Sequence, residues 1–81
     1  MTPVVFTKEQ CVGCDATKRK FAKYDNLEVT YKAALEPENF EYISTLGHRQ
    51  APVVIVLDPS GEIVDHWSGY RPNKIEEHFG K

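Results

Sequence analysis

The stretch Pro3–Tyr24, PVVFTKEQCVGCDATKRKFAKY, holds both cysteines of the 81-residue chain, Cys11 and Cys14. Its period changes as it is read. "PVVFT" is a short apolar run of β-branched and aromatic residues, the composition of a strand. From Cys11 to about Tyr24 the pattern is helical. Cys14, Thr17, Phe21 and Tyr24 share one face, and Lys18, Arg19, Lys20 and Lys23 fall on the wetter ones. A strand therefore runs into a helix, with the cysteine pair at the junction. A helix start presents free N–H groups and the positive end of the peptide dipole, and both stabilise a thiolate. Cys11 is expected to have a lowered pKa and to be the attacking sulfur. Cys14, one turn further in, is close enough to displace a mixed disulfide.

Outward from this junction, "LEVTYK" (27–32) reads as a second strand entered through the turn-like "YDN" (24–26). A second helix is expected from about Pro37 to Leu46. Pro37 suits the first helical turn, Phe40, Ile43 and Leu46 line one face, and Gly47 fits the left-handed position that ends helices. "PVVIVL" (52–57) is a continuous apolar run, as in a strand covered on both faces. "DPSG" (58–61) matches a type I turn, and "EIVDHW" (62–67) returns as its hairpin partner. Pro72 opens a short last helix with Ile75 and Phe79 on its buried side. The order βαβαββα predicts one α/β domain over residues 1–81, a four-stranded mixed sheet flanked by three helices, with a right-handed parallel βαβ unit.

Composition narrows the function. Hydrophobic residues at 41% and aromatics at 11% are globular values. The formal net charge is −2 and the basic residues are scattered, so neither a nucleic-acid groove nor a membrane-binding patch is expected. No apolar run approaches membrane-spanning length, and "MTPVVFT" lacks the features of a signal peptide, so a cytoplasmic location is expected. Nothing suggests an oligomer interface, and a monomer is expected. In a reducing compartment a cysteine pair is more often catalytic or metal-bound than structural. Zinc would need about two further ligands. The candidates His48, His66 and His78 form no short His pair and read as surface residues. A structural disulfide over four residues is worth at most about 2 kcal/mol and would join residues already adjacent on one helix. The redox reading uses the pattern as it stands.

Three stretches carry a family resemblance: "FTKEQCVGCDATK" (6–18), "GHRQAPVV" (47–54) and "HWSGYRP" (66–72). Together they resemble the NrdH-redoxins, a glutaredoxin-like branch of the thioredoxin superfamily, over nearly the whole chain. The resemblance implies a thioredoxin/glutaredoxin-like fold. It also implies a thiol-disulfide oxidoreductase with a redox-active Cys11–Cys14 disulfide and no bound cofactor or metal. The implied electron donor is thioredoxin reductase. The acceptor is the large subunit of class Ib ribonucleotide reductase, in deoxyribonucleotide synthesis. The resemblance further places a cis proline at Pro52, facing the cysteine pair, where neighbouring backbone can pair with an extended substrate peptide.

Two readings stay open beside this one: a glutathione-dependent glutaredoxin, and a metal or cluster carrier using the same thiolates. Glutaredoxins carry a Gly-Gly turn and an acid where this chain has "WSGYRP", and a proline and tyrosine where it has Val12 and Gly13. Glutathione is therefore expected to be the poorer donor. The chain departs from the NrdH-redoxin pattern at Gly13, where many relatives have a larger polar residue, and in the longer hairpin "VLDPSGEIVDHW" (56–67).

Around the cysteines, Lys8 reads either as a solvated surface lysine or as a positive charge near the thiolate or an acidic partner. Thr7, Gln10, Val12 and Gly13 border the pair. Arg49, Gln50, Ala51 and Pro52 are candidates for the rim, as are Ser68, Gly69, Tyr70 and Arg71. Trp67 is a candidate there too, although it equally reads as a strand end packed on the core. Tyr24, Tyr31, Phe40 and Tyr42 read as core or half-buried packing.

Overall fold

The structure, a computed structural model, describes residues 1–80. The strand-to-helix junction is present: β1 spans Thr2–Thr7 and α1 spans Val12–Phe21. Then follow β2 (Thr30–Ala33), α2 (Pro37–Thr45), β3 (Val53–Leu57), β4 (Ile63–Ser68) and α3 (Pro72–Phe79). The sheet order is β2-β1-β3-β4. β1 and β2 are parallel, with Val4 opposite Thr30 and Thr7 opposite Ala33. β3 runs antiparallel to both β1 and β4, with Val5 opposite Val54 and Val54 opposite Trp67. This is the expected mixed α/β sheet, in the thioredoxin/glutaredoxin-like fold.

The alternation of side chains along β1 and β3 divides the core in two. On one face Val5, Val54, Val56 and Trp67 pack against Phe21 of α1 and Ile75 of α3. On the other, Phe6, Val53 and Ile55 pack against Ile43 of α2 and Ala34. Val53 to Val56 are all buried, as a strand covered on both faces requires. The central strands are therefore packed from both sides, and the end of β1 delivers the cysteine loop to the edge of that core.

Several elements differ from expectation. α1 ends at Phe21 rather than near Tyr24, because the chain tightens into turns in which the Lys23 and Tyr24 amides donate to the Lys20 and Phe21 carbonyls, each at 3.1 Å. Asn26 then reverses the chain at φ +64°. β2 starts at Thr30 instead of Leu27, and Leu27 and Val29 instead pack onto the core from an irregular segment. Phe40, Tyr31 and Tyr42 are not core residues; each is about 40% exposed. Nor are the histidines free surface residues. All three are half-buried, His48 and His66 share a 2.8 Å hydrogen bond, and His78 donates to Asp65. In the hairpin the Gly61 amide closes on the Asp58 carbonyl at 2.9 Å, the expected turn contact. Asp58 Oδ1 also accepts from the Ser60 hydroxyl and from the Glu62 and Ser60 amides, and these bonds hold its carboxyl below the usual carboxylate range.

Candidate active site

Cys11 is the N-cap of α1. Its backbone is extended (φ −128°, ψ 105°), and its sulfur accepts from the Cys14 amide at 3.1 Å. That amide is one of the donors a helix start cannot satisfy internally, and here a sulfur takes the part usually played by a serine or aspartate oxygen. Cys14 lies on the next turn, and the two are joined as a disulfide with their Cα atoms 5.2 Å apart. Cys11 is 8% exposed and Cys14 1%, so the first is the sulfur nearer to solvent.

Pro52 brings the other segments to this pair. The Ala51–Pro52 peptide bond is cis, and Cys11 Sγ lies 3.8 Å from the Ala51 carbonyl oxygen. The Pro52 carbonyl accepts from the Gly69 amide at 2.8 Å. A Cβ at Gly13 would lie 3.2 Å from Pro52 Cδ and 3.8 Å from the Tyr70 nitrogen. Three stretches far apart in sequence, around the cysteines, Ala51–Pro52 and Gly69–Tyr70, therefore meet at one proline. A side chain at Gly13 would need the proline ring to give by a few tenths of an ångström, so glycine eases that approach. Gly69 holds φ +83°, a conformation that favours glycine.

Around this centre the sequence-derived residues separate. Val12 is 84% exposed and Tyr70 41%, two apolar surfaces beside the sulfurs. Arg49, Gln50 and Arg71 are exposed, and Ala51, Ser68 and Gly69 are half-buried. Lys8 is exposed on the β2 side, in a groove with Gln10, Lys18, Tyr31, Lys32 and Leu35. The sheet order sets that flank opposite to β4 and the Ser68–Arg71 loop. Trp67 is 3% exposed, and Pro52 is fully buried with its carbonyl accepting from the Gly69 amide. Both lie beneath the rim.

A supporting cluster behind Trp67 escaped the reading of the sequence. Asp65 Oδ2 accepts from Lys74 Nζ at 2.6 Å and from His78 Nε2 at 2.8 Å. Those two donors hold the Asp65 carboxyl down at about 2. His78 stacks on the Trp67 ring with centroids 6.0 Å apart, and Lys74 Nζ lies 5.6 Å from the same ring. The signal was present as spacing: Asp65 and Trp67 are two apart on a strand, and Lys74 and His78 four apart on a helix. Asp65, Glu77 and His78 gather closely enough to suggest a cation site. The Lys74 ammonium on Asp65 makes the cluster an ion-pair network instead. It clamps α3 to β4 at both ends of the Ser68–Arg71 loop.

The arrangement is that of a dithiol–disulfide couple, and comparison with known proteins agrees. A family model described as a thioredoxin-like domain matches residues 2–80. The glutaredoxin-like protein NrdH of Escherichia coli is 36% identical over 75 residues, which cover 93% of this chain and 85% of that protein. The solved structure of Escherichia coli NrdH-redoxin superposes with a TM-score of 0.79 at 33% identity, over 95% of this chain and 93% of that one. Oxidised mitochondrial thioredoxin 3 of Saccharomyces cerevisiae shares the fold at a TM-score of 0.72 and 13% identity, over 96% of this chain and 74% of that one. With its cysteine pair on the N-cap and first turn of α1, and this likeness over almost its full length, the chain belongs to the NrdH-redoxins, glutaredoxin-like thiol-disulfide oxidoreductases of the thioredoxin fold.

Proposed function

We propose that this oxidoreductase carries electrons from thioredoxin reductase to the large subunit of class Ib ribonucleotide reductase, as a cytoplasmic monomer with no cofactor beyond its own disulfide. In the dithiol form Cys11 attacks the partner's disulfide. Its thiolate is held by the Cys14 amide, the 3.1 Å contact seen in the disulfide. One partner sulfur leaves as a thiol, and the other stays bound to Cys11. The Cys14 thiolate then attacks Cys11 Sγ, the Cys11–partner bond breaks, and the second partner sulfur departs with the electron pair and takes a proton from solvent. The partner gains two electrons and two protons, and the carrier is left as its disulfide. The donor flavoenzyme restores the dithiol by the same exchange in reverse. The surface offered to both proteins is Val12, Gly13, Arg49, Gln50, Ala51 and Ser68–Arg71, with Lys8 on the opposite flank.

One observation carries the choice of donor. Ser68–Arg71, tied to Pro52 through the Gly69 amide, contains no carboxylate, and Asp65 on the preceding strand is committed to Lys74 and His78. Nothing there caps the charged amine of a γ-glutamyl group. A protein partner needs only an accessible sulfur and a complementary rim. The solved Escherichia coli relative is described as having a thioredoxin-like activity profile, and the same profile is proposed for this chain. Steady-state turnover of a disulfide substrate should be fast with NADPH and thioredoxin reductase, and slow with glutathione and its reductase. A faster glutathione-coupled rate would move the protein to the glutathione-dependent reading. A chelator-sensitive loss of titratable thiols would move it to the metal-carrier reading.

A further inference from the structure

Thr17 is the one fully buried polar side chain among the described residues, and its Oγ1 has no hydrogen-bond partner. Leaving a buried hydroxyl unpaired costs free energy. A helical threonine ordinarily avoids this by bonding the carbonyl four residues back. Here it does not, although Gly13 is the residue four back in the same helix.

Its position gives the orphan a meaning. Thr17 follows Cys14 by three residues on α1, and both lie on the face turned to the sheet. Side chains three apart on a helix are neighbours, and each leans toward the N-terminal turn, so the Thr17 hydroxyl leans toward Cys14. In the disulfide Cys14 Sγ is bonded to Cys11, carries neither proton nor charge, and makes no hydrogen bond with Thr17. Reduction releases that sulfur and creates a new polar group, S–H or S⁻, at a residue only 1% exposed.

We propose that the Thr17 hydroxyl is the hydrogen-bond partner of the Cys14 sulfur in the dithiol form. It accepts from the thiol, and it donates to the thiolate during the resolving step. In that step the Cys14 sulfur attacks Cys11 Sγ, the new S–S bond forms, and the Cys11–partner bond breaks with its electron pair on the partner sulfur. Thr17 transfers no proton; it lowers the free energy of the anion that attacks. Because the bond exists only after reduction, it favours the dithiol and raises the reduction potential above what the same fold would have without it. This rests on the thiol-disulfide activity and not on which proteins give or receive the electrons.

The test is to equilibrate the whole protein with dithiothreitol redox buffers and count free thiols, which needs neither donor nor acceptor protein. Thr17→Val keeps the shape and removes the hydroxyl, and Thr17→Ser keeps the hydroxyl. Thr17→Val should lower the equilibrium constant for reduction roughly five- to tenfold, from the ordinary strength of one hydrogen bond; tenfold is about 30 mV for a two-electron couple. Its preformed mixed disulfide should resolve several-fold more slowly, with alkylation of Cys11 unchanged. Thr17→Ser should track the wild type on all three measures. An unchanged potential in Thr17→Val, or an equal shift in Thr17→Ser, overturns the proposal. Should the valine variant fold poorly, the wild type itself decides. NMR exchange of the Thr17 hydroxyl proton should slow on reduction, and equal exchange in the two redox forms overturns the proposal.

Discussion

Cys11 and Cys14 share a helix but not an environment. Cys11 caps the helix and borders solvent, while Cys14 lies under it. The first is therefore the sulfur an incoming disulfide meets, and the second is reached only from within. Cys14→Ser should accumulate a stable mixed disulfide with a disulfide-bearing partner, visible by mass, and Cys11→Ser should form none. Trapping by Cys11→Ser alone would reverse the roles. At this scale the sequence was legible where chemistry follows from spacing, as for the cysteine pair at a helix start. It was not legible where an interaction depends on a third segment. A cis bond before Pro52 has a prior of only about 5% from the residues alone, and family likeness supplied that expectation. Thr17 could be assigned to the buried face from its period, but not to an unpaired state, since pairing depends on packing.

Two side-chain bridges join the elements that frame the site, and both depend on pH. Asp65 fastens β4 to α3 through Lys74 and His78, and its carboxyl titrates at about 2 instead of 3.8. A carboxylate depressed by folding adds stability that is complete above its unfolded value and is lost as pH falls toward its folded one. Asp65 is a quarter exposed, so solvent screening trims the gain to about 1–2 kcal/mol. Asp65→Asn should lower stability by about that amount at pH 7 and flatten the acid limb of the denaturant-midpoint profile between about pH 4 and pH 2. An unchanged limb would assign it to other carboxylates.

His48, just before Arg49, bonds His66 of β4 across the other face. Burial first, and then the neighbouring His66, push His48 below its ordinary 6.5. A histidine kept neutral by folding loses stability as pH falls below the unfolded value, because the unfolded chain takes the proton more readily. His48 imidazole resonances should therefore titrate below pH 6.5, with the Arg49 and Gln50 amides moving in step. Spacing hinted at the Asp65 bridge alone, and neither pairing could be fixed beforehand, since each joins a strand to a residue that only the fold brings near. The elements themselves were legible, apart from the early end of α1 and the late start of β2, where turn hydrogen bonds and core contacts overrode local pattern.

For the molecule as a whole, redox state and stability are one quantity seen twice. A protein that gives up electrons readily must hold its own disulfide more firmly than its dithiol, and 30 mV corresponds to about 1.4 kcal/mol. The oxidised form should unfold at higher denaturant concentration than the reduced form. Its potential should lie near the handful of reducing carriers around thioredoxin's roughly −270 mV. A potential near about −120 mV would sink the reductant role. The topology was legible because βαβ chirality and a tight hairpin leave few arrangements, and because a run such as VVIV tolerates burial on both faces.

The bond from the Gly69 amide to the Pro52 carbonyl is the one backbone link between the loop after β4 and the proline beside the sulfurs. Its proton is thus a built-in gauge of the site. While the loop is closed the proton is shielded from solvent deuterium, and it can be lost only when the loop lifts away. Timed exchange at that single amide therefore reports how often the docking rim opens and by how much a bound partner keeps it shut. It does so without any label on the cysteines whose chemistry is being followed.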